Sequence, residues 1–159
     1  MIHLLGIAHR FQFRPTKNWQ EGGPLIDAME TERFEIYLSC WVGNIRPQML
    51  CEEACCPRDD EHKQSVASIV AAAFGIEHRF CDPDPDERAA MYQQHKTTEG
   101  EDRKAGYPVR EQFWLDRLRP NIEASSVIFI CGANHVGTFG RRLEESGFAT
   151  AIICSDLEI

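Results

Sequence analysis

The 159-residue chain is most informative first for what it lacks. No apolar run approaches the ~20 residues needed to span a bilayer. Basic residues are in deficit: Lys and Arg total 17 against 25 Asp and Glu, a net charge of −8. That balance disfavours general nucleic-acid binding, which relies on basic surface to displace counterions. No Cys-x-x-Cys pair occurs among the seven cysteines, so "CEEACC" (Cys51, Cys55, Cys56) lacks the spacing of a zinc finger. The stretch "MIHLLGIAH" has neither a basic n-region nor a small-residue cleavage site. These absences lead to four expectations: a cytoplasmic protein, no membrane association, no nucleic-acid partner and reduced thiols. Cys51, Cys131 and Cys154 lie in apolar runs, where a thiol acts as a small core hydrophobe.

What is present is an alternation of apolar runs and amphipathic stretches. "IHLLGIA", "PQMLCEE", "IEHRFCD", "SVIFIC" and "FATAIIC" read as strands. "PLIDAMETERFEIYLSCWVGN" reads as a helix ended by Gly43 and Asn44, and "DDEHKQSVASIVAAAFG" as one capped by Asp59 or Asp60 and stopped by Gly75. "PDPDERAAMYQQH" starts a helix at Pro83 or Pro85, "YPVREQFWLDRLRP" ends one before Pro120, and "HVGTFGRRLEESG" follows the fourth strand. Residues 96–106 are polar, carry two glycines and are expected to form a mobile loop. The pattern predicts one α/β domain over residues 1–159, with a mostly parallel sheet covered by helices on both faces in three layers.

Two strands end alike. "LLGIAH" and "ICGANH" each run into Gly-x-x-His, giving His9 and His135. Ligands in parallel sheets bind beyond the carboxyl ends of the strands. His9, the pair Glu52–Glu53 and His135 all fall just past such ends, so three separate segments bring His, Glu and His to one edge. Glycine before each histidine permits a sharp exit from the strand or close approach of a neighbour. Two imidazoles and a carboxylate leave a divalent metal an open position for water; His9, Glu52 and His135 are the ligands expected of such a metal. Without a metal, the same groups serve as general base and orienting partner for a water. Glu52 and Glu53 remain alternatives for the site, and each also fits a solvated strand end. Arg110 and Glu111 read as a charged helix face, or Arg110 as a fork aimed at an anionic group or at the site carboxylate. His3, His62, His78 and His95 read as surface residues.

The order strand–Gly-x-x-His, helix, strand–Glu, Arg-x-x-x-Trp helix, strand–Gly-x-x-His–helix resembles the TraB-like branch of the superfamily that includes erythromycin esterases and haem-uptake ChaN-like proteins. "LLGIAH", "PQMLCEE", "REQFW" and "VIFICGANHVGTFGRRLEESGF" carry the resemblance. It implies a shared site of His9, Glu52 or Glu53, Arg110 and His135, holding a metal or activating water to hydrolyse a peptide or ester bond in a small-molecule or peptide substrate. Some members bind haem, which implies the alternative of a non-catalytic ligand- or haem-binding module using the same pocket. "CDPDPDER" also resembles a family strand-to-turn segment bearing an acid, Asp82, to which no role is assigned.

Overall fold

The structure is a computed structural model that describes residues 1–13, 28–54, 64–95, 103–122 and 126–158. Five strands, β1 (Ile2–Ile7), β2 (Met49–Glu52), β3 (Glu77–Phe80), β4 (Val127–Gly132) and β5 (Thr150–Leu157), form one parallel sheet in the order β3-β2-β4-β1-β5. The helices are α1 (Ala28–Ile45), α2 (Val66–Phe74), α3 (Pro85–Gln94), α4 (Tyr107–Ile122) and α5 (Ala133–Glu145).

The strand alternation builds two cores. Leu4, Cys51, Phe129 and Cys131 face Trp114 and Leu118 of α4 and Phe139 and Leu143 of α5. Leu5, Ile7, Leu50 and Ile130 face Phe34 and Leu38 of α1 and Val66 and Val70 of α2. Helices on both faces make the three layers expected. β1 and β4 are apolar along nearly their whole length because both of their faces are covered. From β1 to β3 the chain moves toward one edge beneath α1 and α2. It returns toward the other edge beneath α4 and α5, as a single hand of crossover demands. Chain leaving β4 turns to one face, and chain leaving its neighbours β1 and β2 turns to the other. A crevice therefore opens beyond the carboxyl end of β4.

Several boundaries differ from the sequence expectation. α1 runs through Gly43 and Asn44 to Ile45, and the reversal falls on Arg46 at φ 53°, whose amide donates to the Val42 carbonyl. α2 begins at Val66 and is capped by Ser65, whose Oγ accepts from the Ser68 amide at 3.1 Å. Asp59 and Asp60 lie outside the described residues. Gly75, at φ 67°, closes this helix as expected. Pro85 occupies the first turn of α3, and Asp84 completes a reciprocal cap with Glu87. α4 continues past Pro120 to Ile122. Residues 103–106 form a 3₁₀ turn leading straight into α4; the rest of the expected mobile loop, residues 96–102, lies outside the described residues. No described helix is long and apolar enough to cross a membrane. The described cysteines, Cys40, Cys51, Cys81, Cys131 and Cys154, are free thiols, and Cys55 and Cys56 are not among the described residues.

Candidate functional site

A cavity of about 600 Å³ opens where the topology places the crevice. β1 and its exit supply Ile7 and His9, the end of β2 supplies Glu53, and β4 with the start of α5 supplies Gly132 to His135. Tyr92 of α3, Tyr107 and Arg110 of α4, and Asp156 of β5 complete the wall.

Glu53 is the centre. It is 3% exposed, and a buried carboxylate is costly unless paired and hydrogen-bonded. Its Oε1 accepts from Arg110 Nη2 at 2.7 Å, and its Oε2 from the Gly132 amide at 2.7 Å. His9 Nε2 and His135 Nε2 lie 3.7 and 3.6 Å from the same Oε1. Arg110 is held in turn by Asp82, whose Oδ1 accepts from Nη2 at 2.8 Å and from Trp114 Nε1 at 2.9 Å, while Arg88 pairs with Oδ2. Burial alone works to lower the Arg110 pKa. The Glu53 and Asp82 carboxylates outweigh it and hold the guanidinium above its ordinary value.

His135 sits in the first turn of α5 and is nearly buried. Tyr107 packs on its ring at 4.0 Å between centroids, and Trp114 meets it edge-on at 4.8 Å. Its Nδ1 is 2.9 Å from Glu111 Oε1. A carboxylate at this distance accepts, so Nδ1 carries a proton and Nε2 faces Glu53. Thr138 Oγ1 also donates to Glu111, and Arg142 Nε lies 3.7 Å from its Oε2. His9 differs: it begins a 3₁₀ turn, and its side chain is 57% exposed. Gly132 fits beneath it because a Cβ there would stand 2.9 Å from His9 Nε2.

The structure separates the two glutamates by strand parity. Cys51 and Glu53 point to the α4–α5 side, Leu50 and Glu52 to the α1–α2 side. Glu52 does not join the set of His9, Glu52 and His135 expected to bind a metal. It is buried instead against Ser65 Oγ, His78 Nε2 at 2.7 Å and Gln12 Nε2 at 3.5 Å. His78, read as a surface residue, is accordingly half-buried. Replacing Glu52 by Glu53 does not produce a good metal set, because a cation would have to share Glu53 with a guanidinium and a backbone amide. Among the described residues no group of three His, Cys, Asp or Glu side chains is arranged to hold a metal ion.

His9, Glu53, Arg110 and His135 thus meet at one cavity. Glu111, Asp82 and Gln12 belong to the same network, and none of the three is among the residues the sequence predicts for the site. Glu111 did carry a signal. It shares a helical stripe with the buried Leu115 and Leu118, and a charge in such a stripe implies a buried partner. No protein-family model, curated protein or solved structure matches the chain.

Proposed function

We propose that this cavity activates a water to hydrolyse an ester or amide bond in a small-molecule or peptide substrate. The observation that carries the reading is the approach of two imidazole Nε2 atoms to one buried carboxylate oxygen, at 3.6 and 3.7 Å, on the wall of an open cavity. His135 is the general base. The carboxylate of Glu111 behind its Nδ1 fixes the tautomer and stabilises the imidazolium formed when Nε2 takes the water's proton. His9 Nε2 accepts a hydrogen bond from the water's other O–H and so orients it, and the Glu53 carboxylate is the buried negative charge against which both imidazoles are set. Arg110 is engaged by two carboxylates, so its part is to balance the Glu53 charge and hold that carboxylate in place. The start of α5 faces the cavity with no side-chain cap, and its free amides suit the oxyanion of a tetrahedral intermediate. No step needs a metal. The order of motifs and the converged residues support a TraB-like or erythromycin-esterase-like relationship, which remains part of this proposal.

The second reading, a non-catalytic ligand- or haem-binding module in the same pocket, draws on the exposed His9 imidazole, a group able to ligate a haem iron. A panel of chromogenic esters and peptides, run with and without added divalent cations, tests the choice. Turnover abolished by His135→Ala and Glu53→Gln is expected. Full turnover in both variants, each folded as the parent, would sink the hydrolytic reading. Haem binding without turnover, lost in His9→Ala, would install the second.

A further inference from the structure

Behind His9, on the side away from the cavity, lies Gln12, 2% exposed. Its amide orientation is dictated by its neighbours. One end faces the Glu53 carbonyl oxygen at 3.2 Å and Glu52 Oε2 at 3.5 Å. Both neighbours only accept, so the NH2 group must point there, and turning the amide over would set oxygen against two oxygens. The remaining end, Oε1, then faces His9 Nδ1 at 2.7 Å. An amide oxygen only accepts, so Nδ1 must donate.

We infer that Gln12 is a positioning residue that holds His9 in the Nδ1–H tautomer and thereby presents an unprotonated Nε2 to the cavity. The inference rests on the proposed hydrolytic reading for the use of that lone pair, but not for the tautomer itself. The competing pull is weaker. Glu53 Oε1 would favour a proton on Nε2, but at 3.7 Å it lies beyond hydrogen-bond reach, whereas the Gln12 contact is short. The orientation of Gln12 is set from the opposite face of the sheet. Its backbone carbonyl accepts from the Val66 amide at 2.8 Å, and its backbone amide donates to the His9 carbonyl at 3.1 Å. Glu52, which fixes the NH2 end, is itself held by Ser65 and His78. This gives Glu52 a purpose distinct from that of Glu53: it orients the group that orients a histidine. The two histidines are also backed differently, His135 by a carboxylate and His9 by a neutral amide. A neutral acceptor fixes a tautomer without supplying the charge that stabilises an imidazolium.

The test is ring-nitrogen NMR on the whole ¹⁵N-labelled protein at pH about 8.5, well above the ordinary histidine value of about 6.5. His9→Ala assigns the signals. For the parent protein the expected result is a pyrrole-type Nδ1 and an imine-type Nε2, the reverse of the Nε2–H form that a free imidazole prefers. In Gln12→Ala the Nε2–H form should become the major one. Gln12→Met, which fills the same space without an acceptor, should behave like Gln12→Ala, whereas a merely space-filling Gln12 predicts that it keeps the Nδ1–H form. An Nε2–H tautomer in the parent overturns the inference without any variant having to fold. An Nδ1–H tautomer unchanged in Gln12→Ala overturns it as well. Neither result depends on turnover, so an inactive protein with His9 in the Nδ1–H form would count against the hydrolytic reading and leave this inference standing.

Discussion

The two Gly-x-x-His turns share their spacing and almost nothing else. Sheet register explains why. β1 and β4 are neighbours, but Gly6 pairs with Cys131 and Ile7 with Gly132, so the motifs are one residue out of step. A one-residue offset turns equivalent side chains to opposite faces. Leu5 packs against α1 and α2, whereas its motif counterpart Cys131 packs toward α4 and α5. The first turn delivers an exposed, amide-backed His9 through a 3₁₀ turn. The second delivers a buried, carboxylate-backed His135 on a helix. The glycines differ too. A Cβ on Gly6 would stand 2.1 Å from the Ser155 carbonyl oxygen of β5, whereas one on Gly132 would meet the tip of an exposed side chain, His9. Similar letters were put to different uses: packing against an edge strand in one, an amide donor for Glu53 in the other.

Glu53 is where the two turns meet, and the largest expected effect comes from removing its brace. Arg110→Ala leaves Glu53 and Asp82 without their shared cation. Breaking a buried pair this way costs about 3–5 kcal/mol. Urea unfolding of parent and variant measures it; a loss below about 1 kcal/mol would show that the Gly132 amide and the histidines suffice for Glu53.

Activity should divide the turns next. On an ester or peptide found to be a substrate, His135→Ala should lower kcat by about 10³-fold and His9→Ala by about 10²-fold, within the range for a lost general base or its partner. Glu111→Gln should follow His135→Ala rather than His9→Ala. Equal losses at the two histidines would remove the distinction between base and orienting group.

The glycines sharpen the same contrast at smaller scale. Gly6→Ala forces β5 backbone to move and should destabilise by about 1–3 kcal/mol. Gly132→Ala should cost less stability, because the neighbour that must give is the exposed His9 ring rather than strand backbone, but should lower activity more. The two thermal shifts and the two rates, measured side by side, check the crossing; Gly132→Ala as the more destabilising change would contradict it.

Much of the architecture was legible because continuous apolar runs can be buried only between layers of helices. "VIFIC" and "IHLLGI" are readable as strands for that reason. Strand order was not, since no local signal places β4 between β2 and β1. The choice between Glu52 and Glu53 turned on this too: parity says that they face opposite layers, but only the position of α4 over Cys51 says which layer holds Arg110 and His135. Gln12 was invisible, a polar residue in "RFQFR" with no periodicity to mark it as buried. Asp82 was visible as an acid after a strand, but its partners Arg110 and Trp114 lie a helix away in sequence. The end of α1 lies beyond the predicted Gly43–Asn44 stop because Arg46, not Gly43, takes the left-handed turn.

The smallest effect concerns Cys131, the residue before the second glycine, where the first motif carries Leu5. Burial pushes its thiol well above the ordinary value, and Glu53 and Glu111 push in the same direction. The folded protein therefore keeps this proton to higher pH than the unfolded chain, whose thiol ionises near the ordinary value of about 8.5. Above that pH the unfolded state binds fewer protons, so stability falls as pH rises. The stabilisation is complete below the unfolded value and is lost on the way up to the raised folded value. Cys51 adds to the slope, since a hydrogen bond with Cys81 and then burial raise its thiol as well. Cys131→Ala should lower stability at all pH values through the cavity it leaves. It should also flatten the decline between pH about 8.5 and 10 by up to about 1.4 kcal/mol per pH unit. Urea midpoints taken across that window decide the matter: an unchanged slope in the variant would mean that the Cys131 thiol keeps its proton no longer in the folded protein than in the unfolded chain.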